Sequence, residues 1–146
     1  MYEMFPAQQG RVFFVKIKEG TSPHQAIESF LADNGISFAY IAGIGAFHWA
    51  RIAVFSPEEN KYYSVDVEAE PGRVLEALSV KGNSILGPDG AYYTHLHVTL
   101  AKKPDLVVGG HLIDGRVRPF LELVIFELGG NIDDARRLFK HRWGKK

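Results

Sequence analysis

The sequence contains no cysteine among its 146 residues, and it has no excess of charge of either sign. Without cysteine there can be no disulfide and no thiolate ligand, so a metal site must use histidine, aspartate or glutamate. Seventeen basic and seventeen acidic side chains cancel. This balance removes the bulk attraction that most nucleic-acid-binding proteins use, so only a local basic patch could bind DNA.

Long apolar segments are absent as well. No stretch reaches the length of an uninterrupted membrane span, and residues 1–6 lack the basic and apolar regions of a signal peptide. We therefore expect a cytoplasmic protein with no membrane association. The chain is long enough to bury a hydrophobic core and contains no repeat, low-complexity segment or linker, so we predict a single domain covering residues 1–146.

Three of the six histidines lie within one short stretch of the chain. His95 and His97 are two residues apart in a segment typical of a strand, so both rings should leave the same face with Cα atoms roughly 6.5 Å apart. Two imidazoles can share a zinc ion at about 2.0–2.1 Å, but zinc needs at least one more protein ligand. His111, which follows Gly109 and Gly110, is the candidate third ligand. The alternative is that the three are hydrogen-bonded polar residues at a subunit interface.

The hydrophobic pattern predicts one early helix packed on a sheet. Residues 11–18 are rich in β-branched and aromatic residues, which indicates a first strand. Ser22 is the predicted N-cap of the helix, and Gln25 at the third helical position would complete a variant of the capping box. Asn34 and Gly35 supply the C-terminal stop. A helix covering one face of a sheet places the chain in the α+β class.

The remaining chain is predicted to form strands and turns, closed by a short helix that begins at Asn131. The predicted strands are two within residues 36–55, joined by a glycine bend, and one each over residues 62–67, 73–86, 92–101, 106–113 and 116–128. Asp114 and Gly115 form the strongest hairpin signal in the sequence and should join the last two strands.

The last strand should be buried on both faces. Three of its apolar side chains point one way and three the other, namely Leu121, Leu123 and Ile125 against Phe120, Val124 and Phe126. A sheet with a single helix layer leaves its other face exposed to water. The second face is therefore predicted to pack against another subunit in a homo-oligomer.

Strand register decides whether His111 can join the other two histidines. A regular hairpin that paired Ala101 with Leu106 would place His111 opposite Leu96, on the wrong face. A three-histidine site therefore requires a bulge or an odd loop. The Gly109–Gly110 pair and the loop at Pro104 are both plausible places for this irregularity.

Several motifs together resemble the plant and prokaryote conserved (PPC) domain family. They are residues 76–82 (Glu-Ala-Leu-Ser-Val-Lys-Gly), His95-Leu96-His97, residues 107–112 (Val-Val-Gly-Gly-His-Leu), residues 121–124 (Leu-Glu-Leu-Val) and residues 43–47 (Gly-Ile-Gly-Ala-Phe). The resemblance implies an antiparallel sheet flanked by helices that assembles as a trimer. In plants the domain follows an AT-hook, an Arg-Gly-Arg-Pro segment to which DNA binding is attributed. Residues 115–119 differ from that hook at Val117.

Two classes of function follow from these observations, and neither identifies a substrate. The first is a trimeric PPC-type protein whose three histidines hold a divalent metal, zinc by preference, near a subunit boundary and which binds a small ligand or a partner. The alternative is a metal-dependent hydrolase or lyase in which Glu76, Glu122 or Asp114 accepts a proton from metal-bound water. For Glu76 and Glu122 the competing interpretation is an interface salt bridge with Arg51, Arg73 or Arg118.

A DNA-associated role is a third possibility, and it would depend on the basic C-terminal end. Its basic side chains are Arg136, Arg137, Lys140, Arg142, Lys145 and Lys146. A nucleic-acid arm of this kind would be sensitive to salt and blind to sequence. The competing interpretation is a helix end favoured by its dipole, with Leu138 and Phe139 docked on the sheet.

Overall fold

The computed structural model of the chain describes residues 1–143. It contains six strands, namely β1 (Gln8–Lys18), β2 (Phe38–Ser56), β3 (Lys61–Glu68), β4 (Leu75–Leu86), β5 (Tyr92–Lys103) and β6 (Leu106–Gly129). The helices are α1 (Pro23–Asp33) and α2 (Ile132–Phe139), the latter followed by a 3-10 turn over Lys140–Arg142. The predicted α+β composition is confirmed, including a strand rather than a helix at β4.

All strand pairings are antiparallel, and the sheet order is β1-β6-β5-β4-β2-β3. Because β2 also pairs with β6, strands β2, β4, β5 and β6 close on themselves. Alternate side chains of these strands fill the interior, where Phe47, Leu96, Leu100, Leu121 and Leu123 are fully buried. Burial of these large apolar side chains is the main favourable contribution to folding.

Helix α1 buries Ile27 and Leu31 against this core. Ser22 occupies the N-cap position as predicted, but its hydroxyl makes no capping bond to the helix. The hydroxyl instead hydrogen-bonds the Asp114 Oδ1 atom at 2.9 Å. The predicted capping box is therefore wrong, because a carboxylate on a distant strand competes for the serine hydroxyl.

The predicted hairpin at Asp114–Gly115 is also wrong, since β6 continues straight through both residues. Asp114 pairs with Arg51 and Gly115 with Ala50, so the neighbouring strand β2 keeps this segment extended. A Cβ atom on Gly115 would lie 2.9 Å from the Phe47 ring. Glycine here makes room for a core aromatic ring, and no turn is formed.

The glycine bend predicted within residues 36–55 exists, but it does not divide the segment into two strands. Strand β2 is continuous, and its register against β4 shifts between Gly43 and Gly45. A Cβ on Gly43 would lie 2.1 Å from the Glu122 carbonyl oxygen, so β6 can approach only a glycine at this point. The bend is thus a bulge that lets β2 pair on both edges.

The outer surface of β1, β6 and β2 is apolar and exposed. Two cross-strand rows form it, Phe14–Val124–Ala42 and Val12–Phe126–Tyr40. Phe14 is 71% exposed and the adjacent Ile44 is 56% exposed, although Leu121, Leu123 and Ile125 on the inner side of β6 are fully buried. We call these two rows together with Ile44 the outer apolar face.

The C-terminal segment, residues 131–143, is docked on the sheet. Asn131 caps α2 by accepting hydrogen bonds from the backbone N–H groups of Asp133 and Asp134, as expected of asparagine at a helix start. Phe139 packs edge-on against Phe38 with ring centroids 5.5 Å apart, and Arg136 Nε donates to the Leu86 carbonyl at 2.9 Å. Lys145 and Lys146 lie outside the described residues. Within residues 1–143, no helix has the length and hydrophobicity needed to span a bilayer.

Candidate metal centre

The turn between β5 and β6 sets the register that brings the histidines together. Lys103 pairs with Leu106, but the next pair is Ala101 with Val107, so Lys102 is an extra residue on β5. From that bulge onward the ladder is regular and places His97 directly opposite His111. The predicted irregularity is confirmed, and it lies at the loop rather than at the glycine pair.

Gly109 and Gly110 have a different role, which is to let neighbouring backbones approach. A Cβ on Gly110 would lie 2.6 Å from the Ala53 carbonyl oxygen of β2, and one on Gly109 would lie 2.6 Å from the Val98 carbonyl oxygen of β5. Strand β6 is therefore held on both sides immediately before His111. The glycines fix the position of the His111 backbone without a bulge.

The three imidazoles converge on one point. One ring nitrogen from each of His95, His97 and His111 lies within 4.8 Å of the other two, and the Nε2 atoms of His95 and His97 are 3.0 Å apart. Tetrahedral zinc with bonds of about 2.0–2.1 Å holds its ligand atoms about 3.3 Å from one another. Small side-chain rotations would satisfy this geometry, so the set fits a single ion.

The electrostatics of the cluster favour neutral imidazoles, the form that binds a metal. Burial, followed by the positive charges of neighbouring His111 and Arg142, lowers the pKa of His95 to about 4. Burial also lowers the pKa of His111, as does its proximity to His97. At neutral pH His95 and His111 therefore offer ring nitrogens with free lone pairs.

His111 also carries an unsatisfied polar atom. Its Nδ1 is buried, and no residue among 1–143 forms a hydrogen bond with it. The ring stacks on Tyr62 with centroids 5.0 Å apart and planes inclined by 26°, which restricts its orientation. A buried nitrogen without a partner is costly unless something binds it, and a metal ion at the cluster is one such partner.

A cavity of about 470 Å³ opens beside the cluster. Its wall consists of Glu28, Tyr62, Tyr92, Tyr93, Thr94, His95, His111, His141 and Arg142. Apart from His95 and His111, the sequence analysis predicted none of these residues to be part of the site. In the sequence, Glu28 is one of several polar residues of α1, and Arg142 is one of several basic residues near the C-terminus. Only the fold brings α1, β3, β5 and the C-terminal segment to one place.

The family model described as the Plants and Prokaryotes Conserved (PCC) domain matches residues 4–129. The chain belongs to this family. A PPC protein of Pyrococcus horikoshii is 30% identical, with 89% of this chain and 87% of that one covered and a TM-score of 0.79. A metal-containing protein of Archaeoglobus fulgidus is also 30% identical, with 90% and 89% covered and a TM-score of 0.81. No curated protein matches the sequence.

More distant structures share the fold alone. One is a Bacteroides thetaiotaomicron protein named for a suspected DNA-binding role, with 22% identity, 83% of each chain covered and a TM-score of 0.71. Another is acetolactate decarboxylase of Bacillus subtilis, with 17% identity and a TM-score of 0.53, where the match covers 82% of this chain and 53% of the enzyme. The PCC fold thus extends to larger proteins.

In this PCC domain Glu76 and Glu122 lie away from the histidine cavity. Both line a separate cavity of about 460 Å³, together with Ile44, Leu78 and Phe120 among others. Two of the arginines considered as their partners pair elsewhere, Arg51 with Asp66 at 2.7 Å and Arg118 with Glu19 at 3.2 Å. A catalytic role for either glutamate stays a prediction, and it would require them to act from a different cavity.

Asp114 is engaged by several donors. Burial raises its pKa, but hydrogen bonds from the Gly115 N–H, the Ser22 hydroxyl and Arg116 have the larger effect, so the pKa is lowered and the group is ionised at neutral pH. His24 is mostly buried, and burial lowers its pKa, whereas the charge of Asp114 raises it. His24 also interacts electrostatically with His111. Asp114 therefore organises the start of α1 behind the cluster, and its catalytic role stays a prediction.

Proposed function

We propose that this PCC-domain protein binds a divalent metal ion, zinc by preference, through His95, His97 and His111, and that it binds a small ligand in the adjacent cavity. The observation that carries the proposal is the convergence of three ring nitrogens, one from each histidine, within 4.8 Å. Three nitrogen ligands leave a fourth position free, as in catalytic rather than structural zinc sites. When bound, such an ion supplies Lewis acidity and an exchangeable coordination position.

Two further observations support a metal at this cluster. His111 Nδ1 is buried without a partner among residues 1–143, and the related Archaeoglobus fulgidus protein is described as metal-containing. Because the chain has no cysteine, a zinc site must use imidazole or carboxylate ligands, and imidazole suits zinc, copper, nickel and iron.

The experiment is a metal analysis of the native protein, followed by chelator dialysis and zinc titration. We expect one zinc per chain, and we expect H95A, H97A and H111A each to weaken zinc binding by more than about 100-fold, since even loss of a ligand's hydrogen-bonding partner costs about 10–100-fold. H48A is the matched control, because His48 is exposed on β2 and outside the cluster. Less than one equivalent of metal per three chains would contradict the proposal.

We also propose that the protein assembles as a homotrimer through the outer apolar face. Phe14, Tyr40 and Ile44 are exposed in the single chain, and contiguous exposed apolar surface of this kind usually marks an interface. The rows of this face continue across β4 to the cluster, since Tyr40 pairs with Asn83, which pairs with His95. The metal centre would then lie near a subunit boundary.

Light scattering coupled to size exclusion tests the trimer. F14E places a charge within the outer apolar face and should yield monomers, whereas V54E, at an exposed apolar residue of β2 beyond that face, should not change the mass. A monomeric native protein at micromolar concentration would refute the trimer but leave the metal proposal intact.

A metal-dependent hydrolase or lyase is the second candidate. The observation in its favour is the open cavity beside the cluster, because a concave pocket suits a small substrate better than a flat partner surface. The shared fold with acetolactate decarboxylase makes a lyase the first class to assay. Zinc-dependent turnover that is lost in H97A would support it, and E76Q, E122Q and D114N would test the predicted proton acceptors.

A DNA-associated role has weaker support. Two related folds are named for suspected DNA binding, but the chain has no net charge, and the described part of its basic end is docked on the sheet. Duplex binding that weakens steeply with salt would support the role, because phosphate contacts release counterions. Absence of binding at low salt would exclude it.

A further inference from the structure

The C-terminal segment contributes to the cavity although it lies outside the matched part of the family, which ends at residue 129. Its aromatic side chains hold it in place, with Phe139 against Phe38 and Trp143 against Tyr93 at centroid distances of 5.5 and 5.3 Å. His141 and Arg142 consequently stand on the cavity wall, next to His95. The C-terminal segment thus supplies a cationic group to the cavity wall.

Arg142 is a half-buried cation, and no carboxylate of residues 1–143 forms an ion pair with it. Its Nη1 donates to the Tyr93 carbonyl at 3.1 Å and its Nη2 to the Asn83 Oδ1 atom at 2.6 Å, both neutral acceptors. Its Nε is buried, and nothing within residues 1–143 accepts a hydrogen bond from it. Phe139 lies against the guanidinium, 4.4 Å from ring centroid to Cζ. Burial of a charge without a counter-ion is costly, so an anion bound beside the guanidinium would offset this cost.

The rest of the wall indicates what kind of anion would fit. Tyr62, Tyr92 and Tyr93 provide aromatic surface, and Glu28 is the acidic residue of the wall. No ion pair joins Glu28 to Arg142 in the described part of the chain. A volume of about 470 Å³ lies in the range of cavities that enclose small organic molecules and greatly exceeds the size of an inorganic anion. The body of the ligand would therefore be organic.

We propose that the cavity binds a small organic carboxylate whose anionic group is held by Arg142, beside the three histidines. The proposal rests on the proposed function, because it specifies the class of ligand for the same site. A guanidinium binds a carboxylate through charge-assisted hydrogen bonds, and Arg142 lines the cavity. The carboxylate would supply a counter-charge that no residue among 1–143 provides to Arg142.

Calorimetric titration with benzoate, its neutral isostere benzamide, succinate and inorganic phosphate tests this proposal on the full-length zinc-loaded protein. We expect one or both carboxylates to bind, benzamide to bind at least about tenfold more weakly than benzoate, and phosphate to bind more weakly than either carboxylate. The comparison of benzoate with benzamide is made on the unmodified protein and requires no variant. Equal binding of the two, or tighter binding of phosphate, would overturn the assignment of an organic carboxylate.

Variants then test the residue. R142Q should weaken carboxylate binding by at least about tenfold, R142K should retain part of it, and R137Q is the control because it removes one exposed charge from the same segment. Trp143 fluorescence and the melting temperature report whether the segment stays docked. Carboxylate affinity unchanged in a well-folded R142Q would refute the proposal.

The two proposals can fail separately. Carboxylates that do not bind at millimolar concentration to a protein containing one zinc per chain would overturn the ligand assignment while the metal site stands. Conversely, a protein that takes up no zinc but binds benzoate in an Arg142-dependent way would support the ligand assignment and overturn the metal site.

Discussion

Protonation of His95 in the metal-free protein should occur near pH 4, well below the ordinary value of 6.5. Burial of the imidazole in the cavity wall is the largest cause of the lowered pKa, followed by the charges of His111, Arg142, His97 and His141. Each of these neighbours disfavours a second positive charge at the cluster. His95 is therefore neutral at neutral pH, and its ring lone pair is free to bind a metal ion.

The size of the effect on metal binding follows from proton competition. At about pH 5.5 an imidazole with a pKa of 6.5 is about 90% protonated, whereas one with a pKa of about 4 is about 3% protonated. Three ordinary imidazoles would lose about 1,000-fold in zinc affinity between about pH 7.5 and pH 5.5, or about tenfold each. Because His95 contributes almost none of this loss, we expect zinc affinity to fall by at most about 100-fold.

The sign of the stability change is also defined. The folded pKa of His95 lies below the unfolded value, so the unfolded chain binds more protons between these two values. The metal-free protein should therefore lose stability as the pH falls from about 6.5 to about 4. Above about pH 6.5 His95 is neutral in both the folded and the unfolded chain, so its contribution to stability is fully present.

NMR titration of the histidine ring protons, with H95A for assignment, measures the midpoint directly. R142Q should raise the His95 midpoint, because it removes one of the charges that lower this pKa, and R137Q should not. A His95 midpoint above about pH 6, the ordinary range of histidine, would refute the argument, as would a loss of zinc affinity near 1,000-fold over the same pH interval.

Three further outcomes are expected. G110A should lower both the melting temperature and zinc affinity, since its Cβ would lie 2.6 Å from the Ala53 carbonyl oxygen; wild-type values in both assays would contradict the close-approach argument. L96A should cost about 2–5 kcal/mol of unfolding free energy but retain one zinc per chain, because the fully buried Leu96 faces the interior, and loss of zinc from the folded variant would count against the assigned register. E127Q should destabilise the protein near neutral pH and match the wild type as the pH falls toward 2, because Arg11 lowers the pKa of Glu127 to about 2; a difference in denaturant midpoint that persists at pH 2 would exclude this cause.

Local sequence patterns predicted the secondary structure correctly where interactions between residues close in the chain determine it. Local composition predicted β1 and the two strand segments that together form β6, and charges favourable to a helix dipole indicated α2. These features depend on side chains within a few positions of one another. The same reasoning failed at Asp114–Gly115, where a turn-forming pair lies inside a strand. There the pairing with β2 and the contact with Phe47 outweigh the local preference.

Strand parity gave a partial prediction of the metal centre. The spacing of His95 and His97 was sufficient to place both on one face, and parity showed that His111 could join them only across an irregularity. The sequence left two positions open for it, and the structure places the extra residue at Lys102. The local sequence favours a bulge at the glycine pair and at the loop equally. The choice between them depends on how β6 pairs with β2 and β5, which is a long-range property.

The sequence alone determined the chemistry available to this protein, and the tertiary structure decided where that chemistry is used. The absence of cysteine limits the metal ligands to imidazoles and carboxylates, and the spacing of His95 and His97 places two imidazoles on one strand face. Composition and strand periodicity are local properties, so the sequence alone specifies them. The cavity is different. It exists because α1, β3, β5 and the C-terminal segment meet around His111, and such contacts between distant segments arise only when the core packs.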